Sequence, residues 1–173
     1  IQKIGGKFFV TFAKQDADKH DDVKGAGFGL VDTFDPVTGT FTRLITGSDA
    51  GGTVTALDAP WGLAMAPGSF GAFAGALLIG NFGDGVINAF NPSTGALLGL
   101  LADLSNNPLV NPGLWGLTFG NGGNGGDPNA LYFAVGGADE DIGVFGRIRA
   151  VPEPMNLALL GLSLVGLNVL KRR

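Results

Sequence analysis

Residues 61–101 read WGLAMAPGSFGAFAGALLIGNFGDGVINAFNPSTGALLGLL. They contain four short segments of apolar or alternating character, at positions 61–66, 77–82, 86–90 and 97–101. Gly83-Asp84-Gly85 has the composition of a tight hairpin loop in which glycine supplies a positive φ. Asn91-Pro92-Ser93-Thr94-Gly95 has the composition of a longer turn, capped by the Asn side chain and closed by Gly. The pattern predicts four antiparallel strands.

Parts of this stretch recur elsewhere in the chain. The motif Trp61-Gly62-Leu63 returns as Trp115-Gly116-Leu117, and Phe34-Asp35-Pro36-Val37-Thr38-Gly39 returns as Phe90-Asn91-Pro92-Ser93-Thr94-Gly95. Weaker matches relate Leu77-Leu78-Ile79-Gly80 to Leu131-Tyr132-Phe133-Ala134 and to Phe8-Phe9-Val10-Thr11, and Val31-Asp32-Thr33-Phe34 to Ile87-Asn88-Ala89-Phe90. A period of about 55 residues is close to the roughly 40–50 residues of a four-stranded propeller blade.

Residues 1–150 are therefore predicted to form an all-β, β-propeller-like repeat domain with about three blades. The first blade would hold three strands in residues 7–45, the second all four, and the third three strands in residues 114–149. Closed propellers have about four to eight blades. We expect either that further sequence before Ile1 completes a larger propeller, or that the chain is an open piece with exposed strand edges.

The composition supports a turn-rich β protein and excludes several function classes. Of 173 residues, 31 are glycine, against a usual share of about 7%, and the mean hydropathy is +0.30. The absence of cysteine excludes disulfide scaffolds, thiolate metal sites and cysteine catalysis. A net charge of −4 argues against a nucleic-acid partner.

Acidic residues are concentrated in the loops that join the second and third strands of each predicted blade. In a propeller these loops emerge on one side, and here they are residues 13–28, 83–85 and 136–142. They carry eight of the fifteen acidic residues: Asp16, Asp18, Asp21, Asp22, Asp84, Asp139, Glu140 and Asp141. The sequence therefore predicts an acidic face.

The run Gln15–Asp22 within the loop of residues 13–28 resembles the start of a calcium loop. Asp16 and Asp18 alternate as in an EF-hand, but the sixth position is Asp21 instead of glycine and the twelfth is Gly27 instead of glutamate, so it is not an EF-hand. An irregular calcium site at Asp16, Asp18, Asp21 and Asp22 stays open, because hard cations accept carboxylates and backbone carbonyls. A solvated acidic loop with no cofactor is the simpler interpretation.

Two other features admit both a functional and a structural interpretation. His20, the single histidine, lies among acids and could act as a base, but the chain contains no Gly-x-Ser-x-Gly elbow, and a solvated histidine is favoured. Trp61 and Trp115 could stack on sugars, yet their fixed place at the start of equivalent strands favours packing between blades at equivalent buried positions.

The C-terminus combines three features in order. Val151-Pro152-Glu153-Pro154 is an extended spacer, residues 155–170 are uncharged, and Lys171, Arg172 and Arg173 end the chain. Sixteen helical residues span about 24 Å, and basic residues that snorkel make up part of the shortfall from the ~30 Å hydrocarbon core. The sequence predicts a hydrophobic transmembrane helix at 155–170, with a cytoplasmic tail at 171–173.

This tail resembles the PEP-CTERM sorting signal of Gram-negative bacteria. The resemblance implies export, exosortase recognition of Pro152-Glu153-Pro154, anchoring in the inner membrane with the β domain in the periplasm, and then processing to the cell surface or the medium. The PEP-CTERM family is associated with exopolysaccharide and biofilm. Residues 15–22, 60–64, 80–85 and 114–117 further resemble an uncharacterised propeller-like family that often carries this tail.

Three functions follow as expectations. The first is an exported, non-enzymatic propeller that binds a polysaccharide or a matrix protein. The second is a secreted hydrolase or lyase with an acidic pore site, for which the sequence offers only Arg147 and Arg149 near a strand. The third is a purely structural surface protein. We favour the first, and the sequence does not name the ligand.

Overall fold

The computed structural model describes residues 1–137 and 142–151, which form three antiparallel β-sheets. The first sheet contains β1 (Gln2–Ile4), β2 (Lys7–Phe12), β3 (Leu30–Phe34) and β4 (Phe41–Thr46). The second contains β5 (Pro60–Met65), β6 (Leu77–Asn81), β7 (Ile87–Phe90) and β8 (Leu97–Leu100). The third contains β9 (Leu114–Phe119), β10 (Ala130–Val135) and β11 (Val144–Arg149).

Strands within each sheet are hydrogen-bonded in chain order, as expected for hairpin-connected strands. The all-β class is confirmed, and the four strands predicted within residues 61–101 agree with β5–β8 to within one residue at each end. The first sheet has a strand beyond the three predicted, because Gly5 and Gly6, both with positive φ, close a tight turn between β1 and β2.

The repeated turn motifs fold identically. Asp35 Oδ1 accepts hydrogen bonds from the N–H groups of Val37 and Thr38, at 2.8 and 2.9 Å. Asn91 Oδ1 accepts the equivalent two bonds, at 2.9 and 3.0 Å. Gly39 and Gly95 close the two turns with φ of 71° and 70°. Similar sequences therefore produce similar hairpins at both positions.

The three sheets stack face to face in chain order, and the two contacts between them involve equivalent faces of the sheets. We call the face of a sheet that points to the preceding sheet its upstream face and the opposite one its downstream face. Phe9, Val31 and Ile45 on the downstream face of the first sheet pack with an upstream group on the second sheet, namely Leu63, Leu77, Ile79 and Phe90.

The contact between the second and third sheets repeats this arrangement. The downstream face of the second sheet contributes Ala64, Leu78, Ile87 and Ala89 to the core. The upstream face of the third sheet contributes Leu114, Leu117 and Leu131. All five residues of β6 are buried, because both of its faces are covered. The second sheet is therefore the centre of the fold and separates two hydrophobic cores.

The predicted C-terminal helix and basic tail, at residues 155–173, lie outside the described residues. Within 1–137 and 142–151 there is no helix with the length and apolar character needed to cross a membrane. Those ranges include two short 3₁₀ turns, Ser48–Ala50 and Gly71–Phe73.

Candidate functional site

A cleft of about 420 Å³ opens where β2 ends and β5 begins. The long loop of residues 13–28 forms one wall and the indole of Trp61 forms the other. The lining mixes apolar groups with hydrogen-bonding side chains: Thr11, Phe12, Ala13, Lys14, Gln15, His20, Asp21, Asp22 and Trp61. A concave site that combines an aromatic ring with several hydrogen-bonding side chains can orient a polar small molecule.

The two walls of the cleft are joined by hydrogen bonds. Thr11 Oγ1 at the end of β2 donates to the Trp61 carbonyl at 2.7 Å, so the first sheet holds the backbone of β5 in place. Within the loop, Gln15 and Asp22 form an antiparallel bridge, and the Asp16 carboxylate accepts the His20 N–H at 2.8 Å. The loop is therefore a folded hairpin of its own and presents its polar side chains to the cleft.

An aromatic cluster of Trp61, Phe82 and Trp115 lies beside the cleft. The ring centroids of the two tryptophans are 4.7 Å apart, and that of Phe82 lies 6.1 Å from Trp61 and 5.6 Å from Trp115. Lys24 Nζ stands over the Phe82 ring at 4.5 Å. The cluster thus combines three rings from two sheets with one cation.

The prediction that Trp61 and Trp115 are buried is wrong, although their equivalence is confirmed. Both are the second residue of the first strand in their sheets, but they are 38% and 39% exposed. The physical reason is that the two strands approach closely through Gly62. A Cβ placed on Gly62 would lie 2.7 Å from the Trp115 carbonyl oxygen and the Leu117 nitrogen, so no side chain fits between the strands. The indoles are displaced to the end of the sheets, where they meet each other and solvent.

Asp58 connects three segments behind the cluster. Its carboxylate accepts the Gly25 N–H at 2.7 Å, and its carbonyl accepts the Gly83 N–H at 3.0 Å. A Cβ on Gly83 would lie 1.8 Å from the Asp58 carboxylate, so only glycine fits there. Ala59 follows with φ of 47°, and its carbonyl accepts the Phe82 N–H at 2.9 Å. Asp58 therefore positions Phe82 and the base of the long loop together.

The loops that join the second and third strands of each sheet are hydrogen-bonded to the connections between sheets, and their common acidic face stays a prediction. In the first sheet the Gly27 N–H of the loop donates to the Leu57 carbonyl, in the connection to the second sheet, at 2.6 Å. In the second sheet the Gly85 carbonyl of the loop accepts from the Asn111 N–H, in the connection to the third sheet, at 2.8 Å. In the third sheet the Gly136 N–H of the loop donates to the Gly113 carbonyl, in the connection that precedes this sheet, at 2.9 Å. Asp84 lies in the second of these loops. Partial burial and the nearby charge of Asp58 raise the pKa of its carboxyl group.

The candidate calcium ligands do not converge. Asp16 caps its own hairpin, Asp21 lies 3.1 Å from His20 Nδ1, and one oxygen of Asp22 is buried with no hydrogen-bond partner. No three acidic or histidine side chains within 1–137 and 142–151 are grouped so that they could hold a metal ion. This arrangement does not support the calcium site at Asp16, Asp18, Asp21 and Asp22, which stays a prediction from the sequence.

Several other predicted site residues lie outside the described residues. They are the acidic-face residues Asp139, Glu140 and Asp141 and the sorting-signal residues Pro152, Glu153, Pro154, Lys171, Arg172 and Arg173. Val151 is described and exposed.

No sequence pattern singles out Lys24, Asp58 or Phe82. A comparison of the repeats could not have identified Asp58, because the equivalent position in the third sheet is Pro112. Phe82 is the last residue of the strand predicted at 77–82. The signal that could have identified it is its place directly after the buried strand β6, at the end of the sheet where Trp61 begins its own strand.

Comparison with known proteins finds relatives among giant-virus proteins. The chain is 36% identical over 118 residues to the uncharacterized protein R648 of Acanthamoeba polyphaga mimivirus, and 34% identical over 120 residues to protein L690 of the same virus. Each match covers 68% of this chain but only 28% and 29% of the relative, so the chain spans under a third of their length. No family model and no solved structure matches the chain.

These findings overturn the expected family. The assignment to PEP-CTERM proteins and to the propeller-like family that carries such tails is wrong, because the relatives are mimivirus proteins and no family model matches. The reason is that a three-residue Pro-Glu-Pro motif, an apolar run and a basic end carry little information. Short aromatic-glycine motifs likewise arise wherever tight turns join short strands. A membrane segment at 155–170 stays a prediction from the residues alone.

Proposed function

We propose that the chain is a non-enzymatic binding module, built from propeller-like sheets, that binds a carbohydrate in the cleft beside Trp61. The observation that carries the proposal is the exposed Trp61–Trp115 pair next to a polar cleft. Large aromatic rings are normally buried, so two such rings held together at the surface are a functional signal.

The chemistry of the cleft suits a sugar. A pyranose ring has apolar C–H faces, which stack on an indole, and a rim of hydroxyl groups, which both donate and accept hydrogen bonds. Gln15 and Thr11 line the cleft and can do both, and Asp21 and Asp22 accept.

A binding role is favoured over catalysis at an acidic pore because two arginine side chains form ion pairs away from the cleft. Arg43 pairs with Asp32 in the first sheet, and Arg149 Nη2 lies 2.7 Å from Asp127. His20 is at the surface, beside Asp21.

The propeller-like arrangement is supported by the way in which the sheets repeat. The first strand of the second sheet, β5, packs on the first strand of the third sheet, β9, through equivalent Trp-Gly-Leu motifs. The loops on one end of the sheets carry the cleft and the aromatic cluster. Propellers place like strands next to one another around an axis and carry ligand sites on such loops.

The two tryptophans are the only ones in the chain, so intrinsic fluorescence reports on this site directly. We expect one or more members of a panel of dextran, chitin and alginate oligosaccharides to shift the emission saturably. The Trp61→Ala variant should bind that oligosaccharide about tenfold more weakly, which corresponds to a loss of about 1.4 kcal/mol. Because this variant retains Trp115, the titration can still be read.

The matched control is Phe41→Ala, which removes an exposed aromatic side chain from the first sheet at a distance from the cleft. It should bind like the parent chain. Failure of every oligosaccharide to change the emission, or equal binding by Trp61→Ala, would refute the carbohydrate site. If the protein instead cleaves an oligosaccharide and so produces new reducing ends, the enzymatic alternative would be established.

A further inference from the structure

The cleft beside Trp61 carries two carboxylates on its loop wall. Asp21 and Asp22 line it, whereas the hydrogen-bonding groups of Thr11 and Gln15 in the same lining are uncharged. The Asp21 side chain is 76% exposed and therefore open to a ligand, and its Oδ1 lies 3.1 Å from His20 Nδ1. A ligand that stacks on the indole thus meets negative charge on the opposite wall.

The basic side chains of the same loop do not pair with these carboxylates. Lys14 lines the cleft, but its Nζ stands over the Phe28 ring at 3.9 Å, and Phe28 is not part of the lining. Across residues 1–137 and 142–151, no lysine or arginine nitrogen lies within 4.0 Å of an oxygen of Asp21 or Asp22. The neighbouring His20 is a cation only when it is protonated. The carboxylates are therefore open to a positive charge on the ligand.

The exposed indoles favour positive charge as well. The face of an indole carries negative potential and attracts an ammonium group. In the described part of the chain, the two cations that stand over rings use Phe28 and Phe82, so neither tryptophan face is occupied in this way. Trp61 is 38% exposed and meets Trp115 at a centroid distance of 4.7 Å. The aromatic wall and the acidic wall thus select for the same charge.

We infer that this cleft selects a sugar with a protonated amino group, that is, a glucosamine-type residue whose amine is not acetylated. The pyranose ring stacks on Trp61, and the ammonium group donates charge-assisted hydrogen bonds to the Asp21 carboxylate. Asp21 is then a specificity-determining residue of the site. The inference rests on the carbohydrate site proposed above and names the class of sugar that it takes.

The same chemistry ranks the other sugars. Acetylation removes the positive charge of the amine, so an N-acetylated sugar loses the attraction to Asp21 and keeps only the stacking and the neutral hydrogen bonds. A uronic acid brings a negative charge towards Asp21 and Asp22 and is repelled. Because Asp21 is well exposed, water and salt weaken its attraction to the amine, and we expect a preference of about two- to fivefold over the acetylated sugar.

Titration of the tryptophan emission with chitosan and chitin oligosaccharides of equal length tests the inference, because these two probes differ only in the acetylation of the amine. The titrations are done in calcium-free buffer at a slightly acidic pH, which keeps the amine protonated. We expect chitosan oligosaccharides to bind with a dissociation constant about two- to fivefold lower. High salt should reduce this ratio, because it screens exposed charges.

Two matched variants locate the preference. Asp21→Asn removes the carboxylate and keeps a hydrogen-bonding side chain of similar size, and it should bind the two oligosaccharides with equal dissociation constants. Asp18→Asn removes the same charge from the same loop at a residue that does not line the cleft, and it should keep the preference. The ratio of two dissociation constants in one variant does not depend on the folded fraction, so a partial folding defect does not obscure the result.

The outcomes separate this inference from the proposed function. Equal binding of chitosan and chitin by the parent chain, or tighter binding of chitin, overturns the inference and leaves the carbohydrate site standing. A preference that persists in Asp21→Asn overturns it too, as does one that Asp18→Asn abolishes. An oligolysine that changes the emission at the same concentration as chitosan would show a site for cationic peptides, which also overturns it. Binding of no sugar at all refutes the proposed function and the inference together.

Discussion

At the scale of single residues, the surroundings of Asp84 and Asp103 shift the pKa values of their carboxyl groups in opposite directions. Partial burial raises the pKa of Asp84 above 3.8, the usual value for an aspartate. The N–H groups of Asn107 and Ser105 and the Asn107 side chain stabilise the Asp103 carboxylate and lower its pKa below that value. Folding therefore favours the protonated form of Asp84 and the ionised form of Asp103.

The substitution Asp84→Asn should stabilise the fold at neutral pH by less than about 1 kcal/mol, because the side chain is partly solvated. A raised pKa means that the folded state binds the proton more tightly than the unfolded state. The parent chain then loses stability as pH rises from 3.8 through the folded pKa, and the variant does not. Urea unfolding at several pH values measures the difference, which should vanish below pH 3.8.

The matched control, Asp103→Asn, should behave with the opposite sign. Its stabilisation is present above the unfolded pKa of 3.8 and is lost as pH falls through the lower folded pKa. The variant should therefore be less stable than the parent chain at neutral pH. The same sign of effect in both variants would contradict the assigned environments.

At the scale of strands, the contact between β5 and β9 depends on Gly62. Both backbones approach so closely that a methyl group at this position would overlap the Trp115 carbonyl and the Leu117 nitrogen. This approach also holds the two indoles at a centroid separation of 4.7 Å. The interface between the sheets and the proposed binding site therefore both require the close approach of β5 and β9 at Gly62.

The Gly62→Ala substitution should destabilise the fold by about 1–3 kcal/mol through overpacking. It should also change the tryptophan emission of the native state, because the indoles must move apart. Gly68→Ala is the control, since this glycine has neither a left-handed φ nor a neighbouring atom within 4 Å. Thermal unfolding followed by fluorescence measures both effects, and an equal response of the two variants would contradict the close packing.

At the scale of the whole molecule, the second sheet couples two hydrophobic cores. Leu77 and Ile79 point to the core shared with the first sheet, and Leu78 points to the core shared with the third. Because one strand, β6, contributes to both, loss of either core removes support from the other. We expect the three sheets to unfold together as one cooperative unit.

The Leu78→Ala substitution should lower the free energy of unfolding by about 2–5 kcal/mol, because it leaves a cavity at a fully buried site. Tryptophan fluorescence and far-ultraviolet circular dichroism should report one coincident urea transition. Leu104→Ala, at an exposed site, should stay within about 0.5 kcal/mol of the parent chain. Two separate transitions in Leu78→Ala would show that the sheets are independent.

The sequence by itself determined the strands, their order and the repeated turns. Alternation of apolar residues and the Asp/Asn-Pro-x-Thr-Gly turns act over a few positions, so they specify hairpins without help from the rest of the chain. The concentration of acids in the long loop was also visible in the sequence, although its hairpin fold and the cleft that it lines were not.

Only the tertiary structure decided which residues meet across sheets. The repeats identify Trp61 and Trp115 as equivalent, but their exposure follows from the close approach at Gly62, which involves backbone 53 to 55 positions away. Asp58 and Phe82 likewise belong to the site only through contacts between segments that are distant in the sequence. Packing between sheets depends on the distance and angle of whole elements, and a local pattern carries no information on either.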